Sequence, residues 1–221
     1  MTENDSPASI PRIRIRIESL SDLVFGLALS IGSLVLIGKV PQNGQDLAAN
    51  ILLFGFGFLV VVMIWLGYSR TMAVLPGEAP SALYFNLGLL FCVALAPYLF
   101  YVLSSSPTDE VLNAGSIAYA LDVGFMFLLL AALARLVVKG EEKARLGGHS
   151  LVHPVVVKRF KAIMKAEIAG GLIFVVSALP VFWVNTPIGF LRFILWYSAF
   201  VIFGFTRFYG KSETTNGEQL R

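Results

Sequence analysis

The chain has 221 residues, 57% of them hydrophobic and only 14% charged, with a net charge of +3. A soluble domain is about a quarter charged and under half apolar, so a water-soluble globule is excluded and the surplus apolar surface has to face lipid. So small a net charge gives no support to nucleic-acid binding, and the single cysteine, Cys92, can form neither an internal disulfide nor a metal site, which leaves it as inert packing.

Residues 1–11, MTENDSPASIP, read as a flexible tail, as does KSETTNGEQLR at the other end. The alternation RIRIRI (12–17) reads as an extended basic lead-in to anionic headgroups, with a short strand as the alternative. A helix needs about 20 apolar residues to cross the hydrocarbon core, and helices are required because lipid cannot pair open backbone groups. Six stretches qualify, roughly 20–38, 48–68, 82–103, 114–138, 166–184 and 188–207. The expected architecture is therefore an all-α integral membrane protein of six transmembrane helices. Its membrane domain covers 16–208, between tails at 1–15 and 209–221.

Turn chemistry marks the connections KVPQNGQD, LPGEAPS, SSSPTDE and VNTP. The longest, KGEEKARLGGHSLVHPVVVKRFKAIMK (139–165), is basic, and its second half reads as a short helix on the membrane surface. His149 and His153 stand four apart there, but no third ligand is near and Pro154 follows, so a solvated loop is favoured over a metal site. Arginine and lysine crowd before span one, between spans four and five, and after span six, with Arg70 after span two, whereas Lys39 is alone on the other face. That bias predicts cytoplasmic termini. A cleaved signal peptide at 12–38 is disfavoured by its long apolar part, its acid at the start and its lack of an A-x-A site.

The first span, RIESLSDLVFGLALSIGSLVLIG (16–38), carries the most information. At about 100° per residue, Leu27, Ile31 and Leu34 share one face, and Ser30 lies on its edge. Ser21 and Asp22 turn away, toward neighbouring helices. An acid at this depth needs a partner, although the first turn of a helix also favours an anion. Two further charges lie inside spans, Asp122 and Arg192, and a structural pair between them is favoured over an ion or proton path. Glu167 reads as an acid at the start of span five, Pro97 and Pro180 as kinks in spans three and five, and GFGF (55–58) as a pair of small packing positions. No nucleophile elbow, zinc-protease helix, phosphate loop or acidic metal pair is present, so an enzyme is not expected.

Arg16, then IES, then Leu20, Ser21 and Asp22 resembles the signature of the transmembrane protein 175 family of potassium channels, found in endolysosomes and in prokaryotes. That signature is an arginine, three residues, then Phe-Ser-Asp, followed by a Val-Phe-Ala-Ile-Ala-like run where this chain has LVFGLALS. The third span matches through Asn86 and LAPY (95–98), and the second through Trp65 followed by LGYSR. Leu20 replaces the motif phenylalanine, Ser30 replaces a common threonine, and Tyr68 and Ser69 stand where histidine is common. A tyrosine hydroxyl would then have to join spans one and two.

The resemblance implies a homotetramer in the lipid bilayer, with four copies of span one around a potassium-selective pore. It maps the constriction onto Leu27, further rings onto Ile31 and Leu34, and a hydroxyl ring onto Ser30. Arg16, Ser21 and Asp22 would hold span one in place. It implies permeant potassium and no cofactor, and a prokaryotic plasma membrane as the setting. An ion-coupled transporter using Asp22 and Asp122, and a membrane assembly protein without transport, are the alternatives.

Overall fold

Turn and cap chemistry sets the helix ends. The structure is a computed structural model and describes residues 12–38, 40–75, 80–148, 153–182, 186, 188–189 and 191–201, without the side chains at 12–16, 35 and 80. The predicted terminal tails and the end of span six lie outside the described residues. Six helices follow one another: α1 (Arg12–Ile37), α2 (Gly44–Val74), α3 (Pro80–Ser105), α4 (Asp109–Leu146), α5 (Pro154–Ser177) and α6 (Leu191–Val201), with a 3-10 turn at Pro180–Phe182 before α6. There is no strand among the described residues.

Asn43 caps α2 by accepting from the Asp46 backbone at 2.8 Å. Thr108 opens α4 by accepting from the Val111 backbone, with Asp109 and Glu110 in the first turn. Acids there complement the positive end of the helix dipole, and Lys143 and Arg145 complement the negative end. Gly147 and Gly148 stop the helix, Gly148 at φ +79°, a conformation that side chains rarely adopt. Pro154 then begins α5.

Among the described residues four helices, α1 to α4, are long and apolar enough to cross a membrane. Every full-span window of α5 contains Lys161, Lys165 and Glu167, and α6 is short as described.

Several expectations need correcting. RIRIRI is helical from Arg12, because a lone segment can pair its backbone only within itself. The basic connection is mostly helix: α4 runs on to Leu146, and the expected surface helix is the first half of α5. Glu167 is consequently mid-helix and 1% exposed, not at an N-terminus. Pro180 follows the end of α5 and opens the 3-10 turn rather than kinking a span. Pro97 does lie inside α3, which continues past it.

Neighbouring helices run antiparallel, and α1 and α3 run parallel. Ser21 and Asp22 of α1 meet Tyr68 and Trp65 of α2, whereas Leu29 and Gly32 border the same cavity as the earlier Phe54 and Gly57. On α3 and α4, Gly88 faces Leu129 and Gly115 faces Val102. α4 and α5 approach most closely, where Gly124 and Gly171 cross backbone to backbone. Such small residues let helices approach in lipid, where apolar side chains gain nothing by leaving the bilayer. Trp196 of α6 fills the space between α2, α4 and α5, with Phe56, Tyr119 and Phe174 rings 5.4–6.2 Å from it. Of the GFGF glycines, Gly57 packs against the Phe100 ring, whereas Gly55 faces open space.

A methyl at Gly171 would stand 3.0 Å from the Gly124 carbonyl oxygen and from Leu128. Backbone cannot yield as a side chain tip can, so Gly171→Ala should lower stability by about 1–3 kcal/mol. Gly55→Ala meets nothing within 4 Å and should raise stability by up to about 1 kcal/mol. Thermal unfolding in detergent, read by tryptophan fluorescence, checks both signs.

Candidate functional site

α1 has two different faces. Among its described side chains the buried ones are Ser21, Phe25 and Ala28. The other face carries Leu20, Leu23, Leu27, Ile31 and Leu34, which are 49–58% exposed. Spacings of three, four and seven residues keep them on one stripe of a helix. The structure thus brings Leu27, Ile31 and Leu34 together, as the helical wheel predicts. Leu20 belongs to this stripe and not to the contacts with α2 and α3. Leu23 joins it too; the heptad spacing of Leu20, Leu27 and Leu34 is the sequence signal that would have found Leu20, and the four-residue step from Leu23 to Leu27 the one that would have found Leu23.

The Ser21 hydroxyl holds the buried face. It donates to the Ile17 carbonyl at 2.8 Å. It accepts from the Tyr68 hydroxyl of α2 at 2.7 Å and from the Asn86 amide of α3 at 3.3 Å. One donor and two acceptor sites are the whole capacity of a hydroxyl, so Ser21 is saturated and ties three helices at one point. Tyr68 makes the contact that its position demanded of it, and its ring also packs on Phe25 at 5.6 Å. Asp22 accepts from the Trp65 indole at 3.0 Å. Asp22 stays exposed, at the border of the two faces, rather than pointing fully inward. Arg16 is in α1, but its side chain lies outside the described residues.

Ser30 is exposed beside the aliphatic stripe and donates to the Gly26 carbonyl at 2.8 Å. That bond occupies the proton and leaves the oxygen lone pairs facing outward, which is the part of a hydroxyl a cation uses. Ser33 bonds back to the Ser30 carbonyl at 2.7 Å.

The expected Asp122–Arg192 pair is not formed. Arg192 is fully buried; it donates through Nη1 to the Ser116 hydroxyl and through Nε to the Ser177 carbonyl at 3.1 Å. Ser177 is the last residue of α5, so the guanidinium supplies a donor to an end carbonyl that has no helical partner. It also sits at the negative end of the helix dipole. Ser177 in turn accepts from the Trp196 indole at 2.8 Å. Asp122 is six residues beyond Ser116, about 9 Å along α4, and lies beside the Cys92 thiol instead. Cys92 is thus more than inert packing. The Ser116–Ser177–Trp196 network carries no sequence motif that would announce it.

With this geometry in view, the family resemblance can be placed. Residues 16–97 match the family model of the endosomal/lysosomal potassium channel TMEM175. The match runs through α1, α2 and most of α3, the helices that the Ser21 hydroxyl joins. A solved structure of a variant of the potassium channel MtTMEM175, in complex with a nanobody–MBP fusion protein, shares the fold. Its TM-score is 0.59 at 18% identity, over 90% of this chain and 93% of that one. No curated protein matches the chain.

Ser21→Ala removes one donor and two acceptor sites and strands the buried Tyr68 hydroxyl and Asn86 amide, so it should cost about 1–3 kcal/mol. Tyr68→Phe alone should cost less, and the double variant less than the sum, because the two changes break one shared contact. Strict additivity in thermal unfolding would show that Ser21 and Tyr68 act separately.

Proposed function

We propose that the chain is a passive potassium channel in which four copies of α1 surround a pore and turn the aliphatic stripe toward it. The observation that carries this reading is the division of α1. Its polar side chains tie one face to α2 and α3, and a row of exposed leucines and an isoleucine is left on the other. The TMEM175 match covers these same helices and supports the reading.

Leu27 forms the narrow point, with Ile31 and Leu34 as further rings and Ser30 beside them. Aliphatic side chains do not coordinate potassium. A ring of them makes a constriction that excludes water when tight, a recognised way to gate a pore. Potassium, more weakly hydrated than sodium, deforms its shell at lower cost. Serine oxygens next to the constriction offer partial replacement for the lost water. The termini face the cytoplasm, as the distribution of lysine and arginine favours.

A second reading, an ion-coupled transporter, draws on one observation: Asp122 Oδ2 is buried without a hydrogen-bond partner. Intramembrane acids of this kind often mark ion paths. Flux kinetics separate the two readings, because a transporter saturates and needs its coupling ion whereas a channel passes ions down either gradient.

Purified protein in liposomes should release potassium faster than sodium. Leu27→Ala should raise both fluxes and bring their ratio toward one; an unchanged ratio removes Leu27 from the narrow point. Asp22→Asn should lower the yield of assembled tetramer more than the flux per tetramer, measured by size-exclusion chromatography alongside the flux. A normal tetramer with collapsed potassium flux would reverse that assignment. Absence of any flux in the parent protein would refute the channel.

A further inference from the structure

α4 is longer than a membrane is thick. Its 38 residues extend about 57 Å, against about 30 Å of hydrocarbon. Between Val123 and Ala134 it carries no charge; then come Arg135, Lys139, Lys143 and Arg145. α5 mirrors this, with Lys158, Arg159, Lys161 and Lys165 before an uncharged run from Ile168 to Ser177. The two helices therefore leave the apolar layer together, as an antiparallel hairpin. Eight basic residues and two acids give the stretch 135–165 a charge of +6, against +3 for the whole chain; Glu167, level with Arg135, is 1% exposed and faces the bundle interior.

The acids are already engaged. Glu141 meets Arg145 at 3.0 Å, and Glu142 meets Lys161 across the hairpin at 2.9 Å. The second contact also sets the register. Taking about 1.5 Å per residue from it, Lys165 and Lys139 stand within about 6 Å of the Arg135 level. Lys143, Arg145, Lys158 and Arg159 stand about 12–15 Å beyond Arg135. A headgroup layer is about 5–8 Å thick on each side, so the first three lie within it and the other four lie outside. Arg135, Lys139 and Lys165 are exposed and have no ion-pair partner among the described residues.

We propose that Arg135, Lys139 and Lys165 form a binding site for anionic phospholipid headgroups at the foot of the α4–α5 hairpin. Arg135 and Lys139 share one face of α4 at i, i+4 spacing. A guanidinium grips a phosphodiester through two parallel hydrogen bonds, and an ammonium adds a point charge. The outer four residues stand about 4–10 Å beyond the headgroup layer, comparable with the Debye length of about 8 Å, so their attraction to the leaflet is weakened by salt. The site rests on the membrane-spanning reading of α4 and is independent of ion conduction.

The test uses the full-length protein in neutral detergent, titrated calorimetrically with short-chain phosphatidylglycerol, phosphatidylcholine and inorganic phosphate. Each basic residue at an anionic surface is worth about fivefold in binding, or about 1 kcal/mol. Combined Arg135→Gln, Lys139→Gln and Lys165→Gln should thus weaken phosphatidylglycerol binding about a hundredfold. Combined Lys143→Gln, Lys158→Gln and Arg159→Gln should change it by less than about tenfold, because salt weakens their reach. Phosphatidylcholine should bind weakly to all forms, and inorganic phosphate should not displace the lipid. If the first combination fails to fold, Lys139→Gln alone should show about a fivefold loss. Parent-like binding by the inner variants, an equal loss in the outer one, or displacement by phosphate would overturn the site. Potassium flux is not a readout here, so failure of the channel reading leaves this test intact.

Discussion

The orientation of α1 depends on one serine hydroxyl. In lipid, apolar side chains are equally content against a neighbour or against acyl chains, so burial of leucine cannot decide which face of a helix turns inward. Hydrogen bonds can. Ser21 satisfies one backbone carbonyl and two side chains from two other helices, and turning α1 away would leave the Tyr68 hydroxyl and the Asn86 amide without that acceptor. Asp22 and Trp65 add a second contact one residue on, so the helix is fixed in rotation as well as in place. The aliphatic stripe faces outward as a consequence of what the polar residues do.

The same economy runs through the rest of the bundle. Where helices come closest, glycine does the work: Gly57 under Phe100, Gly115 against Val102, Gly124 against Gly171. Where they are held in register, a polar group satisfies something the fold has left open. Arg192 reaches the terminal carbonyl of α5, and the Trp196 indole reaches the Ser177 hydroxyl. A buried guanidinium answered by a serine and a helix end needs no carboxylate, which is why Arg192 and Asp122 can share a bundle without meeting.

Much of this was legible in the sequence, and the misses have a common cause. Apolar runs located every helix, and the spacing of Leu27, Ile31 and Leu34 fixed the exposed face of α1, because periodicity reports faces directly. Depth and contact are different matters. Hydropathy measures how far lipid extends, not how far a helix does, so the good helix formers of EEKARL read as connection when they continue α4, and KRFKAIMK reads as a separate surface helix when it begins α5. Opposite charges in two apolar segments invited a pair, but only the backbone course shows that Asp122 lies about two turns of α4 from the serine that Arg192 uses. Tyr68 was legible as a substitute for histidine because its role is set by position: any side chain one reach from Ser21 with a donor would serve.

The attachments of α1 are concentrated at one end, and this bears on where a constriction can form. Ser21 and Phe25 are buried, and Ala28 is the last described residue of α1 that is. Leu27 lies about 9 Å and Leu34 about 20 Å along the helix from Ser21. Behind that stretch Ala28, Leu29 and Gly32 border a small cavity of about 30 Å³ shared with Gly57, Ala96 and Phe100. No hydrogen bond joins this half of α1 to another helix among the described residues. The leucines and isoleucine assigned to the constriction therefore stand on the half of the helix with the least packing behind it, whereas the motif residues stand on the half that is tied. Small residues at Ala28 and Gly32 leave room for the backbone to shift toward α2 and α3, and a shift of that kind would move the stripe without breaking the bonds at Ser21.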